Sequence, residues 1–316
     1  MLHLEDDAIA ALVDPASAEQ AVWDAFEAWG RGHAATTQRV RAISPAGEGM
    51  SSAMAAVVPP YCGGKIYATA GGRFTFVNVL FSTDGAPLAT LDGDAITRLR
   101  TPAASSLAIR HLAPAKVTTA VVIGSGVQGW SLVEMLMRSL PDLTELRLCG
   151  RSGSTSTPAL VERSRQAGLS PVVFDDPDEA VRGAQVVVTL TSASTPLFSA
   201  GSLGDDTLIC AAGATKYDRR EVGPDVVERC TAVVCDDVAG SRVECGDLIG
   251  AAADGRFDWD RAVELHAVAA GVATVARAGS APVLFETQGV AIQDVAVAAL
   301  AYERHQAADE ASNPSR

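Results

Sequence analysis

The chain has 316 residues, 48% hydrophobic and 20% charged, the balance of a soluble globular protein with enough length for two cores. Its formal net charge of -13 repels polyanions, which argues against nucleic acid as a partner. No run approaches the roughly 20 apolar residues of a membrane helix, and Met1-Leu2-His3-Leu4-Glu5-Asp6-Asp7 lacks the basic-then-apolar layout of a signal peptide, so the expectation is a cytoplasmic protein with no membrane partner.

In chain order, Pro15 to Gly30 reads as an amphipathic helix, with Val22, Phe26 and Trp29 at helical spacing and Gly30 and Gly32 as the stop. From about Thr36 to Asp92 the pattern is β. Its longest strand is predicted over Arg73 to Phe81, followed by a turn at Thr83-Asp84-Gly85 and a returning strand over Pro87 to Leu91. Asp94 caps a short helix in this reading, and Thr101-Pro102 starts a second helix that runs to about Leu112. Ala113-Pro114-Ala115-Lys116 then reads as a linker.

Beyond the linker, apolar strands alternate with helices. Strands are expected over Thr118 to Ile123, Glu145 to Cys149, Gln185 to Leu190, Thr207 to Ala211 and Thr231 to Cys235, with a helix to about Leu140 after the first. Such alternation predicts a parallel, doubly wound sheet. A last long helix is expected over Gln288 to His305, with a polar, disordered tail after Gln306. The six cysteines (Cys62, Cys149, Cys210, Cys230, Cys235 and Cys245) show no CxxC spacing and read as buried free thiols. The five histidines form no metal pattern, so no metal site is expected.

Gly124-Ser125-Gly126-Val127-Gln128-Gly129 fits GxGxxG where a strand passes into a helix, which is the context a dinucleotide turn requires. The first glycine permits the tight turn and the second lets backbone approach a pyrophosphate. The helix N-terminus supplies free N–H groups for that anion. At the end of the following strand, where NAD sites place an acid for the ribose, the chain has Gly150-Arg151-Ser152. Arg151 beside the Ser152 hydroxyl suits a 2′-phosphate, so NADP(H) is favoured over NAD(H).

Four further cations stand out. The chain has three lysines, Lys65, Lys116 and Lys216, and Lys65 follows Gly63-Gly64 on a β element. By its local environment it reads as a surface lysine on an edge strand, or as a group that donates a proton to a carbonyl or imine. Arg100, one residue ahead of the Thr101-Pro102 start, would place a guanidinium beside a helix N-terminus. Arg39 and Arg41, two apart on a strand, face the same side. On local grounds each of these reads equally as a surface ion pair or as an anion ligand.

The run Leu91-Asp92-Gly93-Asp94-Ala95-Ile96-Thr97-Arg98-Leu99-Arg100-Thr101-Pro102-Ala103-Ala104, followed by Gly124 to Gln128, resembles the ornithine cyclodeaminase/mu-crystallin family. Gly64-Lys65 matches that family's G-x-K-like segment. Glu244-Cys245-Gly246-Asp247-Leu248 resembles its E-x-G-D-L. Phe285-Glu286-Thr287-Gln288-Gly289-Val290-Ala291-Ile292-Gln293-Asp294 resembles its F-x-S-x-G-x-A-x-x-D. The set covers nearly the whole chain.

The resemblance implies an α/β fold in which a doubly wound Rossmann domain, residues 113–287, is inserted in a discontinuous α+β substrate and dimerisation domain, residues 1–112 plus 288–316. It implies that Lys65, Arg100 and Arg41 face the substrate, with Arg39 a close competitor of Arg41, and it adds Gln288. Thr189 or Thr191, Ala211 to Gly213, Arg219 and Thr287 would lie along the cofactor, and the protein would be a homodimer. The function it implies is an NADPH-dependent imine reductase or amino-acid dehydrogenase, with Lys65 and Arg100 catalytic and an α-imino or α-amino acid as substrate. The alternatives are a cyclodeaminase, synthesis of an amino-acid conjugate, and a non-enzymatic nucleotide- or ligand-binding protein. One departure favours the reductase. Where cyclodeaminases carry an acid/base aspartate, Gly213-Ala214-Thr215-Lys216-Tyr217-Asp218-Arg219 puts Thr215.

Overall fold

The computed structural model describes residues 1–71, 73–151, 153–276 and 281–312. The chain divides into two units, Met1–Ala104 with Gly289–Arg316, and Ser105–Gln288. Along the chain run β1 (Leu2–Leu4), α1 (Asp6–Leu12), α2 (Pro15–Gly30), β2 (Ala35–Thr36), β3 (Val40–Ile43), β4 (Met50–Val58), β5 (Tyr61–Ala70), β6 (Arg73–Ser82), β7 (Pro87–Asp92) and α3 (Asp94–Leu112). Next come β8 (Thr119–Ile123), α4 (Gly129–Ser139), β9 (Glu145–Cys149), α5 (Ser156–Gln166), β10 (Val172–Phe174), α6 (Pro177–Val181), β11 (Val186–Thr189) and β12 (Leu208–Ala211). The chain closes with α7 (Pro224–Arg229), β13 (Ala232–Cys235), α8 (Val238–Glu244), α9 (Gly246–Ala253), β14 (Ala262–Glu264), α10 (Leu265–Ala269), β15 (Val283–Glu286) and α11 (Ala291–Ser312).

In the first unit, β1 to β7 form one sheet in the order β1-β7-β6-β5-β4-β2, with β3 also on β4. Alternation along β4, β5 and β6 turns Ser52, Met54, Ala56, Lys65, Tyr67, Asn78 and Leu80 to the buried face. The helix α11 lies against β4, β5 and β6, and α2 packs on α11. Its first half, Ala291 to Ala299, is buried all round, as a helix between a sheet and a second helix must be. The start of α2 is set by Asp14, whose carboxylate accepts from Ser17 N–H at 3.0 Å, and by Pro15 in the first turn. On the other face of the sheet the register lines up Val40, Ala53, Ile66 and Val77 across four strands. Val40 and Ile66 are 65% and 54% exposed there.

The second unit holds a parallel sheet in the order β10-β9-β8-β11-β12-β15-β13-β14. Its central strands β8, β11 and β12 are buried along their whole length, which is why they read as continuous apolar runs. The strand order reverses between β8 and β11, the point where such sheets open a crevice for ligands. This is a Rossmann-type, doubly wound arrangement.

Three sequence expectations change. The two helices expected at Asp94 and Thr101 are one helix, α3, with Pro102 inside it. A proline there removes one hydrogen bond but keeps a helical φ, and Ala103, Ala104, Leu107 and Ala108, each 1% exposed or less, secure the helix by burial. The tail expected to be disordered after Gln306 continues α11 to Ser312. The short strand β15 escaped the sequence reading, because its partners β12 and β13 lie far back along the chain.

Candidate active site

The nucleotide turn leaves β8 at Gly124, whose φ of +123° only glycine adopts easily and whose N–H donates to the Cys149 carbonyl at 2.9 Å. A Cβ on Gly126 would meet nothing within 4 Å, so backbone is open to close approach there. A Cβ on Gly129 would lie 3.2 Å from Leu160 Cδ2, so that glycine serves the packing of α4 on α5. These are the three glycine roles of a dinucleotide turn, and a nicotinamide dinucleotide fits it. Val127 is 83% exposed at its tip. Gln128 caps α4 without a side-chain bond, which leaves first-turn N–H groups for an anion. The Ser125 hydroxyl is tied to Thr157 Oγ1 at 2.8 Å. Arg151 is exposed at the end of β9, and Ser152 lies outside the described residues.

The residues expected along the cofactor have a second partner that the sequence did not suggest. Glu221 is fully buried and accepts from Thr189 Oγ1 at 3.0 Å, Thr191 N–H at 2.6 Å and Gly213 N–H at 2.6 Å. The Thr189 hydroxyl is thus engaged by a buried carboxyl. Ala211 is likewise fully buried. The Thr287 hydroxyl donates to Asp236 Oδ2 at 2.6 Å, and Arg219 Nη1 donates to the Ser192 carbonyl at 2.7 Å. Burial pushes the Glu221 carboxyl up, against the pull of the bonds it accepts.

Behind Glu221, Asp247 Oδ1 accepts the N–H groups of Glu221 and Val222 at 2.7 and 3.1 Å. Cys245, Asp247 and Glu286, all buried, bring one ligand atom each within 4.8 Å of one another, a grouping the cysteine spacing did not foretell. Burial, and after it the charge of neighbouring acids, pushes the Glu286 and Asp247 carboxyls up.

The first unit gathers the expected cations. Lys65 is not on an edge: β5 is an inner strand, and the side chain is 1% exposed. Its Nζ donates to Thr97 Oγ1 at 2.6 Å and to Asp294 Oδ1 at 3.1 Å, and lies 4.3 Å from the Phe76 ring centre. Thr97 in turn donates to the Gly93 carbonyl at 2.6 Å. Arg100 Nη1 donates to Gln293 Oε1 at 3.1 Å, and its Nε stands 3.5 Å from Asp294 Oδ1. Burial lowers the Lys65 ammonium to about 8, opposed by Asp294 and aided by the charges of Arg100 and Arg39. Asn78 Oδ1, Gln293 Nε2 and Asp294 Oδ2 are buried there without a hydrogen-bond partner among the described residues. Polar atoms in that state call for a polar ligand or water.

The geometry changes the placement of Arg100 and locates the other expected residues. Arg100 does not precede a helix start; it lies within α3, three residues after Thr97 and on the same face. Of the two N-terminal arginines, Arg39 adds its charge to the surroundings of Lys65, and its Nη2 donates to the Gly289 carbonyl at 2.9 Å. Arg41, preferred from the sequence, sits on β3 opposite Ser52, and so on the sheet face that also carries Lys65. Gln288 belongs to the second unit, where its Oε1 accepts from Ser241 at 2.7 Å. Thr97 and Asp294 were both inside quoted motifs, but only their distances to Lys65 reveal what they do.

Residues 5–309 match the ornithine cyclodeaminase/mu-crystallin family. The chain belongs to that family. Over 221 residues this family member is 34% identical to Delta(1)-pyrroline-2-carboxylate reductase 2 of Burkholderia ambifaria, a match that covers 70% of this chain and 67% of the relative. The solved structure of a "probable ornithine cyclodeaminase" from Bordetella pertussis Tohama I superimposes with a TM-score of 0.91 at 35% identity, covering 98% of each chain. An archaeal alanine dehydrogenase, solved as a dimer with bound NAD, superimposes with a TM-score of 0.91 at 26% identity and covers 98% of this chain and 97% of its own. Among the described residues of this family member, no helix is long and apolar enough to cross a membrane.

Proposed function

We propose that this family member is an NADPH-preferring reductase of α-imino acids that also runs in reverse as an amino-acid dehydrogenase. It is an NAD(P)H-dependent oxidoreductase acting on C=N bonds. The observation that carries the finer reading is the buried Lys65 ammonium, held by Asp294 and Thr97 beside Arg39 and Arg100. An α-imino acid needs a counter-charge for its carboxylate and a proton for its nitrogen. The two guanidiniums meet the first need by charge-assisted hydrogen bonds. Lys65, with its ammonium lowered to about 8, meets the second near neutral pH. When bound at the Gly124–Gly129 turn, the nicotinamide cofactor supplies the hydride.

Arg151, exposed where NAD sites carry an acid, supports selection of the 2′-phosphate of NADPH. The exposed apolar row of Val40, Ala53, Ile66 and Val77 supports a two-fold dimer through that sheet face. The relatives support cyclic substrates: one is a Delta(1)-pyrroline-2-carboxylate reductase, and one from Azospirillum brasilense also bears the name Delta(1)-piperideine-2-carboxylate reductase.

The cyclodeaminase reading is disfavoured by Thr215. Ring closure of a diamino acid needs a base for its terminal ammonium, and a threonine hydroxyl is not one at pH 7. The test is NADPH oxidation with Delta(1)-pyrroline-2-carboxylate and Delta(1)-piperideine-2-carboxylate, beside incubation with ornithine and NAD. Turnover of a cyclic imine without proline or ammonia from ornithine is the expected result. Efficient conversion of ornithine to proline would sink the reductase assignment.

A further inference from the structure

We propose that Asp294 is the positioning residue of the site: its Oδ1 both aims the Lys65 ammonium, at 3.1 Å, and separates that ammonium from Arg100, whose Nε stands 3.5 Å from the same oxygen. This rests on the reading of Lys65 as the proton donor. The geometry has a clear physical need. Lys65 is 1% exposed and Asp294 is fully buried, so bulk water does not screen the charges. The charged groups that face Lys65 are Asp294 from α11, Arg100 from α3 and Arg39 from the segment ahead of β3. Among the described residues named as acting on Lys65, Asp294 is the anion and Arg100 and Arg39 are cations. Without it, burial and two guanidiniums all act against a proton on Lys65.

Both elements are placed for this role by what surrounds them. Asp294 sits in the part of α11 that is buried all round, so its backbone is held by packing. Thr97 takes the second Lys65 hydrogen bond and is itself fixed to the Gly93 carbonyl, so Nζ is held from two directions. Asp294 Oδ2 has no hydrogen-bond partner among the described residues. A carboxylate used only to neutralise Arg100 would present both oxygens to the guanidinium fork. Here a single oxygen is shared by Arg100 and Lys65.

The test combines kinetics with a titration that needs no turnover. The chain has three lysines, Lys65, Lys116 and Lys216, so the Lys65 signal in protein labelled with ¹³C-lysine is assigned by comparison with Lys65→Met. In the wild-type protein that signal is expected to titrate near pH 8. In Asp294→Asn the midpoint should fall by about one pH unit or more, as loss of an opposite charge within 4–6 Å requires. The alkaline limb of kcat should fall with it, and kcat should drop at least tenfold, while NADPH binding, the control for folding, is unchanged. Asp294→Glu keeps the charge but moves it; its midpoint should stay at the wild-type value while kcat falls severalfold.

An unmoved Lys65 midpoint in folded Asp294→Asn overturns the proposal. So does a loss confined to KM with the wild-type pH profile, which would make Asp294 a shaper of the carboxylate site alone. Where Asp294→Asn fails to fold, a full wild-type kcat in Asp294→Glu overturns it. A Lys65→Met enzyme that keeps its activity would refute the proton-donor reading itself, whereas an inactive Lys65→Met beside an unmoved Asp294→Asn refutes only the role of Asp294.

Discussion

Gly289 stands directly against Arg100: a Cβ built on Gly289 would lie 2.5 Å from Arg100 Nη1 and 3.2 Å from its Cζ. The same glycine has a φ of +80° and receives a hydrogen bond from Arg39 on its carbonyl at 2.9 Å. One residue without a side chain thus lets two arginines converge. Gly289→Ala is expected to lose about 1–2 kcal/mol of stability from the left-handed backbone. It should also push Arg100 aside and raise KM for an imino acid about tenfold, a loss near 1.4 kcal/mol of binding. Urea unfolding and initial rates measure the two effects separately. A normal KM in a destabilised variant would show that the arginines do not bind the substrate.

Lys65→Met keeps most of the side-chain volume and removes the ammonium. The expected outcome is unchanged NADPH affinity with kcat/KM lowered more than tenfold, that is, by more than ~1.4 kcal/mol. In the wild-type enzyme the sign of the pH dependence follows from the lysine. Its ammonium is lowered by burial to about 8 and must be protonated to donate, so reductase activity is full below that pH and declines above it. A rate that climbs steadily from pH 7 to 10 would contradict this assignment.

Arg151 decides the cofactor if the second strand of the Rossmann unit reads the ribose. Arg151→Ala should weaken NADPH by roughly 1–3 kcal/mol and leave NADH unaffected, because the lost contact is to a phosphate that NADH lacks. Fluorescence titration with both cofactors gives the answer. Equal dissociation constants for NADPH and NADH in the wild-type protein would remove the basis for the preference.

The apolar row across the first unit's sheet predicts a dimer at micromolar concentration. Ile66, 54% exposed at the middle of that row, is the position where a charge costs most on burial. Ile66→Glu should shift the protein to monomer in light scattering without unfolding it. A wild-type mass equal to the 32.6 kDa chain would end the dimer hypothesis.

Much of this protein was legible before any fold was known. The Gly124–Gly129 turn, the buried runs that became β8, β11, β12 and β13, and the α2 start at Asp14-Pro15 are local matters. In each, backbone freedom, capping or continuous apolarity acts over a few neighbouring residues. Family motifs also singled out Lys65 and Arg100. What local pattern could not supply was the meeting of segments far apart in the chain. Lys65 looked like an edge-strand lysine, and only the strand order and the cover of α11 made it a buried ammonium. Asp294, 229 residues away, could be recognised as its partner only by distance. The bond of Thr189 to Glu221 and the continuity of α3 through Pro102 likewise came only from tertiary packing. Burial removes water as the alternative partner, so a charged side chain in the core takes its role from whichever distant groups the fold brings to it.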